Sequence, residues 1–399
     1  MTEQKASMAS YTARIDRIDA LRGFALMGLF TVHAVEYFEL YWLHPPAQDN
    51  IHDWVFGLFA GKAFAIFALM FGLSFFIIMD RAAQRGVDFT WRFVWRLVVL
   101  FGIGFLHALF YAGDVLQVLA LMGLSLIVLH RLSNKWLIPL AIVSLTEPVL
   151  LYQLWHAAHD LGANVPLLSW SYPSLEVFAH ADFAHLIANN VWAGPLTKWE
   201  FMWEYGRVMQ ILGLFMVGIM LGRIGFFREP ERFNTSRRLS FAIALTIAVG
   251  LHFLKPVVPQ LVPNDKAHFL VGASRDALFD SYQSLAAMAM WVLGFLELYQ
   301  WNGPQRLLRL LAPAGRMTLT LYVMQAVICI PLYYGSGLGW YATIGQFRAL
   351  IFGICFFSAQ VVFAHLWFRY FLYGPLEWVW RAATYLTVKV PFIRRTASA

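Results

Sequence analysis

Ten stretches of the chain carry close to the ~20 apolar residues that a helix needs to cross a bilayer. They lie near residues 20–42, 61–80, 93–112, 115–130, 136–156, 207–227, 238–256, 279–301, 317–334 and 348–372. Inside lipid no water satisfies a bare N–H or C=O, so runs of this kind fold as helices that bond internally. The expected fold class is therefore all-α: a polytopic transmembrane helical bundle of about 10 spans. Composition agrees, with 60% apolar and 13% charged residues, against roughly 45–50% and 25% in soluble domains. The sixteen Trp suit a chain that meets two lipid–water interfaces. The stretch at 115–130 is the shortest and is expected to tilt or to be partly buried.

The net charge of +7 then reflects loops on one side of a membrane, and no nucleic-acid partner is implied. Of the 30 Lys and Arg residues, 23 fall on the side that holds the N-terminus. By the positive-inside rule both termini are cytoplasmic. The first sixteen residues are polar and lack a short apolar core with a cleavage site, so they are expected to be a retained tail. Cys329 and Cys355 both lie inside apolar runs, which argues against a disulfide framework or a cysteine metal site.

The chain reads as a single transmembrane domain over 1–399. A cytoplasmic tail at 1–17 precedes helices 1–5 at 18–156. An outer connection at 157–206 is too apolar for a disordered linker, contains Pro173 and Pro195 as breaks, and is expected to cap the outer mouth. Helices 6–10 follow at 207–372, then a cytoplasmic amphipathic tail at 373–399. In that tail "LEWVWRAATYLTV" puts Leu376, Val379, Trp380 and Ala383 on one helical face, as in a helix lying on a membrane surface. No internal repeat is visible, nor an inverted pair of broken helices of the kind many transporters use.

Ionisable groups in or beside spans cost free energy and are functional candidates by default. In "RIDALRGFALMGLFTVHAVEYFELYWLHPP", Arg22 and His33 are eleven residues apart. That is almost three helical turns, so both project from one face about 16 Å apart along the axis. Arg22 alone also fits a snorkelling residue that obeys the charge rule, and His33 a group hydrogen-bonded to a neighbouring helix. His44 precedes Pro45, which disfavours helix, and so belongs at the outer mouth. There an imidazole, with an unperturbed pKa of about 6.5, could act as a general base, or be a solvated loop histidine. Glu36, three residues after His33, shares its face and could orient the ring, or stand as an interfacial carboxylate.

Elsewhere the polar candidates are Lys62, His107, Asp114, Gln117, Arg316 and Gln325. Lys62 at the outer end of its span is more often a snorkelling anchor. His107, Asp114 and Gln117 share "HALFYAGDVLQ", which suits acceptor binding or ring orientation, or interhelical bonding worth about 0.6 kcal/mol per contact. Arg316 lies on the inner side, where a donor phosphate could dock. "HADFAH" (His180, Asp182, His185) and "HAAHD" (His156, His159, Asp160) have ligand-like spacing, but motifs of this length arise cheaply and no metal is expected.

"LRGFALMGLFTVH" resembles the Arg-x10-His signature of the integral-membrane type-3 acyltransferases, and "AFAIFALMFGLSFFI" resembles their second helix. A closer resemblance, over nearly the whole chain, is to the YeiB-like bacterial membrane proteins. It rests on "RIDALRGFALMG", "GKAFAIFALMFGLSF", "FGIGFLHALFYAGDVLQVLALMG", "AGRMTLTLYVMQ" and "FAHLWFRYFLYGPLEWVWR". That family is similar to the lysosomal heparan glucosaminide acetyltransferase, within one transmembrane acyltransferase superfamily. In that enzyme an Asn replaces His33, and the functional histidine aligns with His44.

The resemblance implies transfer of an acyl group, expected to be acetyl, from cytoplasmic acyl-CoA to a hydroxyl or amine of a sugar or envelope component at the outer face of a bacterial inner membrane. Arg22 and Arg316 would hold the donor. His33 or His44 would act as base or acyl carrier, with Glu36 or Asp114 orienting the ring. Lys62, His107, Gln117 and Gln325 would bind the acceptor or orient the base. Acetyl-CoA is the only cofactor implied, and a homodimer is left open. A transporter of a small amphiphile or sugar would use the same polar groups as a pathway, and a non-catalytic scaffold is the third reading.

The charge split makes the topology testable. A membrane-impermeant thiol reagent applied from outside should modify a cysteine engineered in 157–206 and spare one in 228–238. The opposite pattern would exchange the donor and acceptor sides.

Overall fold

The computed structural model describes residues 15–43, 50–159, 175–258 and 269–394. Their helices are α1 (Asp16–Val35), α2 (Asn50–Phe59), α3 (Lys62–Ala83), α4 (Thr90–Ala108), α5 (Leu116–Met122) and α6 (Ser125–Leu129). Then follow α7 (Asn134–Leu145), α8 (Pro148–His159), α9 (Glu176–His180), α10 (Phe183–Glu204), α11 (Arg207–Arg223) and α12 (Asn234–Leu254). The last are α13 (Phe269–Leu298), α14 (Asn302–Leu308), α15 (Ala312–Arg316), α16 (Thr318–Tyr333), α17 (Gly345–Tyr370) and α18 (Pro375–Tyr385). Among the described residues extended backbone pairs only at one isolated bridge, Phe371 with Ile393, so the fold is all-α.

Helices in lipid gain no hydrophobic drive toward one another, so close packing through small residues decides which ones meet. At the centre, α1 crosses the segment 309–316 backbone to backbone. A Cβ on Gly23 would overlap the Leu311 carbonyl, and one on Gly315 would overlap the carbonyl of Asp19. A second crossing joins α3 to α11, where Gly72 meets the Phe215 backbone and Gly218 meets the Leu69 carbonyl. These seams bury α1 most deeply: 78% of its most apolar stretch is inside the bundle, against 17% for the peripheral span Pro230–Leu254. Exposed apolar side chains such as Ile142, Val143, Leu239, Ile243 and Ile354 cover the rim helices, as lipid-facing surfaces require.

Among the described residues six helical segments are long and apolar enough to cross a membrane, or eight if each of two bent pairs counts as one span. A helix occupies each of the ten expected stretches, but several are not single straight rods. α1 ends at Val35, where the chain turns through Glu36–Leu40 with Leu40 at a left-handed φ of 52°. The segment at 116–129 is two short helices, and α7 passes to α8 through Glu147 at φ 56°. Among the described residues two helix pairs are broken: α10 bends by 73° into α11, and 302–316 bends by 77° into α16. The αL residue Gly206 makes the first bend; Met317 sits at the second.

Charge separates to two ends. At the basic end, Arg22 donates to Ser74 Oγ at 2.6 Å, Arg223 to Asn134 Oδ1 at 2.7 Å, and Arg309 pairs with Asp16 at 3.2 Å. α18 lies across that end: Trp380 Nε1 donates to the Arg96 carbonyl at 2.9 Å and its ring sits 3.6 Å from the Arg96 guanidinium. Glu377 accepts from the Thr320 hydroxyl at 2.6 Å, fixing α18 to α16. Of the expected surface face, Trp380 is docked in this way, whereas Val379 is exposed.

The crossings predict a sharp contrast. Gly315→Val should cost about 1–3 kcal/mol or more through overpacking, whereas Gly57→Ala, with nothing within 4 Å of its new Cβ, should leave thermal stability in detergent unchanged. Equal melting temperatures for the two variants would remove Gly23–Gly315 as the central seam.

Candidate functional site

The α4–α5 turn is built around one carboxylate. Asp114 Oδ1 lies 2.8 Å from His107 Nδ1, and Oδ2 accepts from the Gln117 backbone N–H at 3.1 Å. The Gln117 side chain reaches back to the Gly104 carbonyl at 3.4 Å. A bond from Nδ1–H to Asp114 fixes the tautomer and leaves the Nε2 lone pair of His107 free to accept a proton. Nε2 is buried and has no hydrogen-bond partner among the described residues, and neither has the hydroxyl of buried Tyr111.

His33 faces the same aromatic chamber. Its ring centroid is 5.4 Å from Tyr111, 5.6 Å from Tyr37 and 6.4 Å from Tyr322. His107 lies 5.7 Å from Tyr111 and 5.0 Å from Tyr322, so two tyrosines are shared by both imidazoles. All four of these residues, His33, His107, Tyr111 and Tyr322, are buried. Tyr322 accepts from the Val115 N–H at 3.3 Å, tying α16 to the start of α5.

Helix α10 closes this chamber from the end opposite the arginines. Asn190 donates to the Leu109 carbonyl at 3.1 Å and Lys198 to the Gly113 carbonyl at 3.2 Å. Lys198 also stands 5.9 Å from the Tyr37 ring. Only about 10 Å³ of space remains between Asp114, Gln117, Lys198 and Trp199, roughly one water. A cap over the outer mouth was expected from 157–206; within its described part, Pro195 lies inside α10 and does not break it.

The other sequence candidates sit elsewhere. Glu36 has left the helical register and accepts from Trp42 Nε1 at 2.8 Å, so its bonded partner is Trp42 and not His33. Arg22 is held by Asp19 and Ser74, and Arg316 lies 3.8 Å from the Phe368 ring. The two arginines immediately flank the Gly23–Gly315 crossing at the basic end. Lys62 is buried and donates to the Phe56 carbonyl at 3.1 Å. Gln325 donates to Gln360 at 2.9 Å, a bond between α16 and α17. His44 lies outside the described residues, as does Asp160.

"HADFAH" is a helix start: Asp182 caps α10 by accepting from the His185 N–H at 2.9 Å, and His180 pairs with Glu176 at 3.1 Å. Among the described residues no group of three potential ligands is placed to hold a metal ion. Sequence reasoning missed Tyr37, Tyr111, Tyr322, Asn190 and Lys198. The available signals were a lysine in an apolar outer segment, and a tyrosine within each of "HALFYAGDVLQ" and "AGRMTLTLYVMQ".

Residues 221–387, from the end of α11 through α18, match a family described as a protein of unknown function, DUF418. Uncharacterized protein YxaH of Bacillus subtilis (strain 168) is 26% identical, covering 96% of this chain and 97% of its own. Uncharacterized protein YeiB of Escherichia coli (strain K12) is 28% identical, covering 95% of this chain and 98% of its own. An uncharacterized 39.9 kDa protein from the amylase 3' region of Bacillus acidopullulyticus is 25% identical over 93% of this chain.

The closure by α10 predicts that Ala112→Cys reacts slowly with a polar maleimide. Adding Asn190→Leu and Lys198→Met should raise the labelling rate several-fold by freeing the cap. An unchanged rate would mean that these two bonds do not seat α10.

Proposed function

We propose that this chain, which belongs with the YeiB-like membrane proteins, is a membrane-embedded acyltransferase whose base is the His107–Asp114 pair. The observation that carries the reading is that pair's geometry: a carboxylate-oriented imidazole with a buried, unpartnered Nε2, facing His33 across two shared tyrosines. Base plus orienting group is the recurring arrangement for activating a hydroxyl or amine.

The donor is an acyl-CoA thioester, with acetyl the expected acyl group, approaching from the basic end near Arg22 and Arg316. The acceptor is a hydroxyl or amine of a sugar or other envelope component, entering from the side covered by α10. His107 Nε2 takes the acceptor proton as its oxygen or nitrogen bonds to the thioester carbonyl carbon. The C–S bond then breaks, and the leaving thiolate recovers the proton from His107, so protons balance over the turnover. In this reading Lys198 and His33 supply the donors for the negative carbonyl oxygen. In this reading the protein sits in a bacterial inner membrane with its basic end toward the cytoplasm, as the positive-inside rule expects.

Two bent helix pairs favour a second reading, transport, because broken helices commonly build substrate paths in carriers. One assay separates the two. Protein in nanodiscs given labelled acetyl-CoA and a panel of sugar acceptors should release free thiol and label an acceptor. Asp114→Asn and His107→Ala should each lower that rate by about 10²–10⁴-fold with unchanged melting temperature. Near-wild-type rates in both variants remove the pair as base; uptake of a solute into vesicles without thioester consumption replaces the enzyme with a carrier.

A further inference from the structure

A second cavity lies away from the histidines. It lies at the basic end, has a volume of about 230 Å³, and is formed where four segments converge. Arg17 comes from the start of α1, Glu231 from the α11–α12 connection, Arg237 from α12, and Tyr299, Gln300 and Gln305 from the region after α13.

Its two guanidiniums are in different states. Arg237 is buried and committed to the fold: it donates to Glu297 at 2.6 Å, to the Pro230 carbonyl at 3.1 Å and to Asn234 at 2.9 Å. The same Glu297 also accepts from Arg238 at 2.9 Å, so that carboxylate is shared by two cations. Arg17, in contrast, lines the cavity with no ion pair or hydrogen bond among the described residues. Two more polar groups beside it are orphaned: the hydroxyl of Tyr299, whose residue is only 6% exposed, and the side-chain Nε2 of Gln300. Buried polar atoms without partners are uncommon and call for a ligand, a water or an ion.

We infer that this cavity binds a water-soluble phosphate ester, with Arg17 supplying charge and Tyr299 and Gln300 supplying hydrogen bonds. A guanidinium, a phenol and an amide N–H are all donors, and a phosphate presents several acceptor oxygens to such a set. Glu231 at the same wall is an acceptor and suits a hydroxyl or amino group carried by the same molecule. The site faces the end to which the acyl donor is assigned, so its natural occupant is the nucleotide end of coenzyme A. That identification rests on the acyl-transfer reading; the phosphate site does not.

The test is equilibrium binding of radiolabelled coenzyme A to the full-length protein in phosphatidylcholine nanodiscs, with inorganic phosphate as competitor. Arg17→Gln should weaken binding about 10–100-fold and Tyr299→Phe about 3–10-fold. Arg369→Gln, exposed at the same end, should change nothing. Should Arg17→Gln fail to fold, Gln305→Leu and Tyr299→Phe carry the test. Equal affinity in wild type and in Arg17→Gln/Tyr299→Phe overturns the site, as does wild-type protein that binds neither coenzyme A nor phosphate. In nanodiscs containing phosphatidic acid, undiminished coenzyme A affinity supports a soluble ligand, whereas displacement assigns the cavity to a lipid headgroup and overturns the donor identification. Arg17-dependent binding without any acyl transfer would leave this site standing and remove the acyltransferase; transfer with Arg17-independent binding would do the reverse.

Discussion

Within a bilayer a polar atom has no water to fall back on, and several internal polar side chains of this protein are placed by that constraint. Gln346 donates to both Glu39 and the Val35 carbonyl at 2.7 Å. Gln325 and Gln360 bond each other and close on the Leu321 carbonyl. Around the α7–α8 and α10–α11 breaks, Arg207 donates to Gln210, Gln210 to Ser281, and Ser281 to Glu147. These sets are helix-to-helix ties, in which Gln346 Oε1, Gln325 Oε1 and Glu147 Oε2 remain without a partner among the described residues. What sets His107 Nε2 and the Tyr111 hydroxyl apart is position: the two rings share one chamber, and neither atom has a partner among the described residues.

The membrane class, the ten helical stretches and the segregation of charge were legible because hydrophobicity and length act locally along the chain. The bends were not, since each depends on one residue in an unusual conformation meeting a neighbour at the crossing: Glu147, at left-handed φ, stands against Gly206. His33 and His107 were readable as intramembrane ionisable groups. That both face Tyr111 and Tyr322 was not, because those contacts join segments as far apart as α1, α4 and α16. The i+3 argument for Glu36 failed for a local reason: the helix ends at Val35, and the spacing rule lapses with it.

Several motif-like stretches owe their form to packing as much as to chemistry. In "RIDALRGF" and "APAGRM" the glycines are what let α1 and α15 touch through their backbones, and the flanking Arg22 and Arg316 are engaged by Ser74 and by the Phe368 ring. "GLSF" and "VGIM" supply the second crossing through Gly72 and Gly218. Function has to be argued from the atoms that packing leaves over.

Distance is the remaining constraint on acyl transfer between the two ends. Along α1, Arg22 and His33 are separated by about 16 Å, too long a gap for one hydrogen-bonded step. Along α16 the interval is far shorter. Thr320 is bonded to Glu377 of α18 at the basic end, and Tyr322, two residues on, lies against the His107 ring. Two residues of helix rise by about 3 Å and rotate by about 200°, so these side chains leave opposite faces of one helix. Near its start α16 is thus a partition one helix thick between α18 and the imidazoles, and it begins at the 77° bend beside Arg316. In the acyl-transfer reading the thioester has to pass α16, not the full bilayer, which makes that helix and its bend the element that sets how far the acyl group must travel.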